Sequence, residues 1–470
     1  MRLFTIGDSI SQGFMSGSAA RTECSYSTLL SEWLGIDGYR YPAWHEPGLP
    51  ASVEAIFRAL NNKFGSSISG IEWIKSLKVI NGVMDKAEDY YERGEGGKDK
   101  KYPGNVPFFH NIGVRDWTVA DSWLITPDVC RKMIGRSWIG EVTDGFLANP
   151  SAFIYRTGLK VLDPNLDCNR SQLDWLEYHA SGEGVENLLL WLGANNALKT
   201  VVTLKIKESP NNPSRRPHQM THEERSDAGW NLWHPADFKA EYAEFIKRVD
   251  TIMKRNTSKK YNVYVGTIPC VTAIPILTGL GKVKEVPGMG KYYTYYTYFP
   301  FDEKFAVDSG KYLSMDDAIK IDSTIMEYNK SIKELAEARG FHVVDFAERF
   351  TKMAWQRNDG KPTYPFPEEW KKWPHFPDSR YYHADENGKM LRGGLFTMDG
   401  IHPSALAHGL LASEFRNVME AAGVEFKKSI DWEKIRKTDT LYESPITLMG
   451  ELYRHEKLAH FVAKILNLLK

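Results

Sequence analysis

Residues 3–13 read Leu-Phe-Thr-Ile-Gly-Asp-Ser-Ile-Ser-Gln-Gly, and this stretch decides the expected fold. The mostly apolar run up to Gly7 and Asp8 is typical of a short buried strand that ends in a turn. Ser9 then stands where a helix should begin, with its hydroxyl at the carboxyl edge of a sheet beside unpaired helix N–H groups. An acyl-transfer nucleophile is expected at that place in an open α/β sheet. A plain helix cap is the alternative interpretation.

Apolar strand patterns continue along the chain, separated by helical patterns. Strands are expected near 2–7, 107–114, 186–193, 261–268 and 341–346. Helices between successive strands are typical of a parallel sheet with helices on both faces. The sequence therefore predicts an α/β fold.

The composition excludes several classes of function. Among 470 residues, Lys+Arg and Asp+Glu both number 60, so no net charge attracts nucleic acid. The four cysteines form no C-x-x-C pair, which argues against a zinc or redox site. No apolar run has the length of a transmembrane helix. Because the first strand starts at Arg2, we expect a cytoplasmic protein, or a secreted or periplasmic one that has lost its signal peptide.

Polar residues follow several of the expected strands, and parallel strands bring such residues to one edge of a sheet. Ser9 follows the first strand, Asp116 lies in a turn after the second, and Asn195 follows the third. Asp399 stands three residues before His402 in a loop that precedes the last long helix. That spacing lets the carboxylate accept from the ring Nδ1–H, which leaves Nε2 to deprotonate a serine. The Asn195 amide suits a developing oxyanion.

These residues resemble the motifs of the SGNH (GDSL) hydrolases, a family of serine esterases and lipases. Residues 7–11, Gly-Asp-Ser-Ile-Ser, are similar to the family's first block. Residues 193–196, Gly-Ala-Asn-Asn, resemble its Gly-x-Asn-Asp block, and 399–403, Asp-Gly-Ile-His-Pro, its final Asp-x-x-His block. The resemblance implies a flavodoxin-like three-layer α/β/α fold with a five-stranded, mostly parallel sheet and helical insertions.

The resemblance also implies the roles of the site residues. Ser9 is the expected nucleophile, His402 the general base and then acid, and Asp399 the residue that orients His402. The backbone amides of Ser9 and Asp116 and the side chain of Asn195 are the expected oxyanion hole. No metal and no organic cofactor is implied.

Two positions depart from the family pattern. Asp116 stands where the family has a glycine whose N–H completes the oxyanion hole, and Gly113, three residues earlier, is the alternative donor. The Asp116 carboxylate would repel an oxyanion unless it points away. Asn196 replaces the family's aspartate, which the chemistry does not require.

The chain is longer than the resemblance needs. Residues 1–425 are the expected hydrolase domain, and residues 426–470 are an extension that ends in an amphipathic helix, where peripheral lipid contact is an option. A helical insertion at about 40–105 is expected to cap the cleft, with surface padding as the alternative. Loop insertions are expected at about 126–165, 270–318 and 350–392. His218 and His222 lack H-E-x-x-H spacing, and the polar segment 207–230 around them is expected to be a solvated loop.

The substrate is expected to be a small-molecule carboxylic ester. Aromatic residues make up 13% of the chain, which favours apolar acyl chains, as in a lipid esterase or lysophospholipase. A carbohydrate O-acetyl esterase would use the same aromatic residues as sugar platforms. A non-catalytic binding or scaffold protein that retains the fold is the alternative from another class.

Overall fold

The computed structural model describes residues 2–68, 72–101, 108–136, 152–299, 301–380, 383–384 and 390–448. Most of the amphipathic helix predicted at the end of 426–470 lies outside these residues. In the described part of the chain, no helix combines the length and the apolar content that a bilayer crossing requires.

The strands are β1 Leu3–Gly7, β2 Phe14–Met15, β3 Ser18–Ala19, β4 Asn187–Trp191, β5 Asn262–Gly266, β6 Leu277–Val286, β7 Gly290–Tyr298, β8 Leu313–Ser314, β9 His342–Val344, β10 His383–Ala384 and β11 Met390–Arg392. The α-helices are α1 Ser9–Gln12, α2 Tyr26–Leu34, α3 Val53–Phe64, α4 Glu72–Glu88, α5 Asp121–Leu124, α6 Pro127–Arg136, α7 Phe153–Leu162, α8 Gln172–Ser181, α9 Lys199–Thr203, α10 His222–Ala228, α11 Pro235–Met253, α12 Glu303–Ser309, α13 Met315–Glu337, α14 Phe346–Met353, α15 Ala405–Ala421, α16 Trp432–Thr438 and α17 Thr440–Glu443.

The central sheet of the described chain has four parallel strands in the order β1-β4-β5-β9. The five-stranded count is not confirmed. The segment expected as a strand over 107–114 makes three backbone hydrogen bonds along the free edge of β1 but pairs with it only at Thr5 and Asn111. The pairing is short because the His110 amide donates to the Arg40 carbonyl and the Ile112 carbonyl accepts from the Gln172 side chain, so neither group pairs with β1.

Helices cover both faces of the sheet, and the alternation of side chains along β4 explains why. Leu188 and Leu190 belong to one buried apolar cluster, with side chains of α8, α11 and α13. Leu189 and Trp191 belong to a second, with side chains of α2, α14 and α15. A parallel strand buried on both faces reads as a continuous apolar run, which is how residues 188–192 read in the sequence.

The predicted helical insertion at 40–105 contains α3 and α4, which pack together in a third apolar cluster. Leu441, Ile446 and Leu448 from the C-terminal segment complete this cluster, together with Met398 beside the Asp399 loop. The insertion therefore packs against the Asp399 loop through Met398. That it caps the cleft stays a prediction.

The other insertions are not loops throughout, which corrects the expectation. Residues 270–318 contain the antiparallel sheet β6-β7-β8. Its strand β7 is rich in tyrosine and threonine, which favour strands. Residues 126–165 contain α6 and α7, and the polar segment 207–230 contains α10.

Candidate active site

Ser9 is the first residue of α1, directly after β1 and Asp8. The Asp8 side chain caps the helix, because its Oδ1 accepts from the Ile10 amide at 3.2 Å. The Ser9 hydroxyl is therefore not used as the cap. Gly7 is required before it, since a Cβ there would lie 1.9 Å from the Ser11 hydroxyl. Ser9 is 5% exposed.

His402 and Asp399 reach Ser9 from the loop that precedes α15. The Ser9 hydroxyl lies 2.9 Å from His402 Nε2, and His402 Nδ1 lies 2.8 Å from Asp399 Oδ2. The other carboxylate oxygen accepts from the Ile401 and His402 amides, both at 2.9 Å. The spacing of three residues thus lets one side chain fix its own turn and also hold the imidazole.

The electrostatics of Asp399 suit this role. Burial raises the pKa of Asp399, but the charge of His402 and hydrogen bonds from His402 and Ile401 outweigh it and bring the value down to about 2. The carboxylate is therefore ionised at neutral pH and accepts from Nδ1–H. Nε2 is then free to accept the proton of the Ser9 hydroxyl.

The sequence did not indicate one further partner of Asp399. The hairpin β2-β3 follows α1 and turns at Ser16 and Gly17, which both have positive φ. The Gly17 amide donates to Asp399 Oδ2 at 2.6 Å. The only sequence signal is the Ser-Gly pair between two very short strands.

Asn195 lies in a 3₁₀ turn after β4, as its position after an apolar strand predicted. Its Nδ2 donates to the Trp117 carbonyl at 3.0 Å and lies 3.5 Å from Asp8 Oδ2. The second contact is long for a hydrogen bond, so one N–H is only weakly held. The neighbouring Asn196 accepts from the Val119 amide at 3.2 Å and so fixes the segment that carries Asp116.

Asp116 has a φ of +62°, in the left-handed region that favours glycine. Its carboxylate forms an ion pair with Arg115 at 2.9 Å. Burial raises the pKa of Asp116, but the charges of Arg115 and Lys199 outweigh it and leave the pKa below its ordinary value. Gly113, the alternative donor, gives its amide to the Asn111 side chain at 3.0 Å.

Asp8 is a buried carboxyl beside these groups. Burial raises its pKa to about 7, and the charge of Asp116 adds to the rise, against the opposing hydrogen bond from the Ile10 amide and the charge of His402. Close to neutral pH, Asp8 is therefore partly protonated. A neutral carboxyl beside Asn195 repels a developing oxyanion less than a carboxylate does.

An apolar pocket of about 50 Å³ opens beside Ser9 and His402. Its walls include Cys270, Ile274 and Phe350, and the same three residues line a second apolar pocket that extends to α15. The described residues that line these two pockets come from the segments after β1, β4, β5 and β9, from the Asp399 region and from α15, and none comes from 40–105.

A different pocket, of about 100 Å³, lies on the other side of Asn195 and is lined in part by Asp116. Tyr155, Lys199 and His222 also line it. His222 is the residue that the expectation of a solvated loop missed. The Thr221 and Glu224 capping box was the sequence signal for a helix there.

Two groups of potential metal ligands lie elsewhere. His110, His179 and Glu183 have ligand atoms within 4.8 Å of one another, as have Asp163, Asp167 and Cys168. The Arg40 guanidinium lies 3.2 Å from His110 Nε2, and a cation at that position opposes a metal ion. Neither group includes a residue of the Ser9 site.

Comparisons with known proteins add little. No protein-family model and no curated protein matches the chain. Among solved structures, the chain is similar to the extracellular lipase from Streptomyces rimosus, with 11% sequence identity and a TM-score of 0.31. The similarity covers 88% of this chain and 98% of that one. At this TM-score it carries no argument about function.

Proposed function

We propose that this protein is a serine hydrolase that cleaves carboxylic esters through an acyl-enzyme, in the manner of the SGNH family that its motifs resemble. The observation that carries the proposal is the continuous chain of hydrogen bonds from Ser9 through His402 to Asp399, at 2.9 and 2.8 Å. A strand-end serine paired with the Nε2 of a carboxylate-bound histidine is the arrangement that activates a hydroxyl nucleophile.

The reaction follows from these contacts. His402 Nε2 takes the Ser9 proton as Oγ attacks the ester carbonyl, which forms a tetrahedral oxyanion. The imidazolium then protonates the alcohol oxygen as the ester C–O bond breaks, and the acyl group stays on Ser9. Water, deprotonated by the same Nε2, attacks this acyl-enzyme, and the imidazolium returns the proton to Ser9 Oγ as the bond between the acyl carbon and Oγ breaks and the acid leaves. Asp399 stabilises the imidazolium in both halves.

The oxyanion is proposed to bind the backbone amides of Ser9 and Asp116 and the Asn195 side chain. In the described chain, neither amide donates to another protein group, so both donors are available. The left-handed backbone of Asp116 supports its alignment with the family's glycine. Gly113 is the weaker candidate, because Asn111 already holds its amide. A donor of this kind contributes about 3 kcal/mol to catalysis.

The finer fold and domain assignments are proposals of the same kind. If residues 110–114 count as the second strand, the spatial order becomes 2-1-3-4-5, which is the flavodoxin-like order. We propose that residues 1–425 form the hydrolase domain, with 426–470 as an extension.

The acyl part of the substrate is proposed to be an apolar chain. The pocket beside Ser9 is largely apolar, and its shared wall of Cys270, Ile274 and Phe350 continues it toward α15. An apolar chain that enters between these residues gains stability by leaving water. A pocket made for acetyl groups alone needs no such continuation.

Labelling with a fluorophosphonate probe tests the proposal. The native protein should be labelled, and Ser9→Ala should not. Ser11→Ala is the matched control, because this second serine of the same helix bonds to the Tyr26 hydroxyl and should leave labelling intact. No labelling of the folded native protein would contradict the proposal and favour a scaffold protein that retains the fold.

A further inference from the structure

The pocket on the far side of Asn195 differs in chemistry from the apolar pockets. It lies between the segment 116–121, the start of α7 and α10 with the residues that follow it. Trp230 and Trp233 form an aromatic wall, with their rings edge to face at 6.2 Å. Polar and charged residues, among them Tyr155, His222 and Arg225, line the rest of the pocket together with a few apolar ones. Asn195 lines both this pocket and the pocket beside Ser9, so a bound ester can reach into each.

A relay of three side chains fixes the hydrogen-bonding direction of Tyr155. Its hydroxyl lies 2.9 Å from His222 Nε2, and His222 Nδ1 lies 2.9 Å from Asp121 Oδ1. The other oxygen of Asp121 accepts from the amide and the hydroxyl of Thr118, at 2.8 and 2.7 Å. Asp121 can only accept while it is ionised, so His222 Nδ1 donates to it, and the Nε2 of the neutral imidazole accepts from Tyr155.

Asp121 is ionised at neutral pH. Burial raises its pKa, but the hydrogen bond and charge of His222 and the charge of Arg225 outweigh it and hold the pKa well below its ordinary range. The Tyr155 proton is committed to His222, and Ser226 donates a hydrogen bond to the Tyr155 oxygen, which leaves one lone pair that can accept from a ligand.

Arg225 supplies a hydrogen-bond donor, whereas Tyr155 supplies an acceptor. It is 5% exposed, and its Nη2 donates to Thr118 at 2.7 Å and to Glu241 at 3.3 Å. Its Nη1 is also buried and has no acceptor among the residues that the structure describes. An unpaired buried donor is unfavourable, so this nitrogen favours a ligand that brings an acceptor.

The charges of the pocket point to a neutral ligand. Asp116 pairs with Arg115 and Arg225 with Glu241, while the ionised Asp121 accepts a hydrogen bond from the neutral His222. The exposed Lys199 lies near enough to Asp116 for its charge to lower the pKa of that carboxyl. The three carboxylates of Asp116, Asp121 and Glu241 are matched in number by the cations of Arg115, Arg225 and Lys199, so the pocket offers donors and acceptors but no concentrated charge for an ionic group.

We propose that this pocket binds the alcohol part of the ester and that this alcohol is a polyol, either a sugar or glycerol. The inference rests on the proposed function, which places the ester carbonyl between Ser9 and Asn195. The acyl chain then occupies the apolar side and the alcohol the polar side. A polyol presents hydroxyls that both donate to Tyr155 and accept from Arg225, and its C–H faces suit the wall formed by Trp230 and Trp233.

The test compares butyryl esters that differ only in their alcohol: butyryl glucose, glycerol monobutyrate and p-nitrophenyl butyrate. Tyr155→Phe should lower kcat/KM for the polyol esters about five- to tenfold, the loss expected for one hydrogen bond. It should leave p-nitrophenyl butyrate within about twofold. Trp230→Leu, which spares the relay, should show the same selectivity. Tyr178→Phe is the matched control, because Tyr178 is exposed and lies outside the pocket.

A loss that is equal for all three esters, or absent for all, would overturn the inference. So would native hydrolysis of p-nitrophenyl butyrate without hydrolysis of either polyol ester, and the proposed function would then still stand. Whichever polyol ester loses more identifies the sugar or the glycerol.

Binding supplies a readout that does not need turnover. Butyryl glucose and glycerol monobutyrate should each be titrated into Ser9→Ala while tryptophan fluorescence is followed. Adding Tyr155→Phe should raise the Kd of at least one of them about five- to tenfold. A Kd that does not change for either ester would overturn the polyol subsite, even if no ester were hydrolysed and the proposed function itself had failed.

Discussion

The Gly17 amide donates to Asp399 Oδ2 at 2.6 Å, between residues that are 382 positions apart in the sequence. The same oxygen accepts from His402 Nδ1 at 2.8 Å. The neighbouring Ser16 amide donates to the Thr397 hydroxyl at 2.9 Å, so the hairpin turn holds the Asp399 loop at two points. A carboxylate that is fixed from the hairpin side has less freedom to rotate away from the imidazole.

Gly17→Ala should lower kcat of ester hydrolysis about tenfold and leave KM nearly unchanged, because it disturbs the orientation of His402 rather than the pockets. Gly17 has a φ of +79°, which costs alanine about 1 kcal/mol and shifts the amide. Steady-state kinetics on a p-nitrophenyl ester measure the effect. Gly17→Asn should recover activity, because asparagine tolerates this backbone region.

Gly38→Ala is the matched control for that strain. Gly38 has a φ of +74°, and a Cβ there would meet open space. The Gly38→Ala variant should therefore lose about as much stability as Gly17→Ala but keep the native kcat. An equal fall in kcat at both glycines would contradict the positioning role of Gly17.

The contact between Gly17 and Asp399 could not be predicted from the sequence. The placements of Ser9, Asn195 and the Asp399-x-x-His402 turn could be predicted because each depends on local geometry: a strand end or a spacing of three residues. Every residue type except proline has a backbone amide, so the sequence does not mark Gly17 as the donor. The strands β2 and β3 have two residues each, which is too short to show a period of two. Contacts of that kind become visible only when the hairpin is folded against the distant loop.

His222 was missed for a related reason. Its partners Tyr155 and Asp121 lie 67 and 101 residues away, so no short motif joins them. The five-stranded count is not confirmed, for a different reason. Residues 108–114 have the composition of a strand, but Arg40 and Gln172 take up the His110 amide and the Ile112 carbonyl, which would otherwise bond to β1. Propensity indicated an extended segment, and tertiary context decided that the segment pairs at one residue.

Asp116→Gly should keep or raise kcat, since the backbone amide is the proposed donor and glycine adopts the observed φ of +62° without strain. It also removes a carboxylate near the oxyanion. Asp116→Ala should be less stable than the glycine variant by about 1 kcal/mol, because alanine is disfavoured in this region. Asp116→Asn separates charge from backbone, since it removes only the charge. A fall in kcat of tenfold or more in the glycine variant would mean that the carboxylate itself is needed.

Asp8→Asn should stabilise the protein progressively as the pH rises. The pKa of Asp8 is raised by burial from 3.8 to about 7, so the folded state binds the proton more tightly than the unfolded state. The carboxyl therefore lowers stability as the pH rises from about 4 to 7, by up to roughly 4 kcal/mol above that window. Asparagine caps a helix as well as aspartate but does not titrate.

Urea unfolding at pH 4 and pH 8 measures this effect. The gain of Asp8→Asn over the native protein should be much larger at pH 8. Asp431→Asn makes the same exchange at the exposed cap of α16 and serves as the matched control. A gain that is equal at both pH values would mean that burial does not raise the Asp8 pKa.

Ile274→Trp should shorten the acyl chains that the protein accepts, because Ile274 belongs to the wall shared by the two apolar pockets. Across p-nitrophenyl esters from acetate to decanoate, kcat/KM should fall about tenfold for the longer chains and little for acetate, since each buried methylene contributes roughly 0.8 kcal/mol.

Phe350→Ala, in the same wall, should shift the preference toward longer chains. Phe366→Ala is its control, a half-buried phenylalanine outside both pockets. If the native protein were most active on acetate and inactive beyond butyrate, the continuation of the pocket would have no part in substrate binding, and the proposed apolar acyl chain would be wrong.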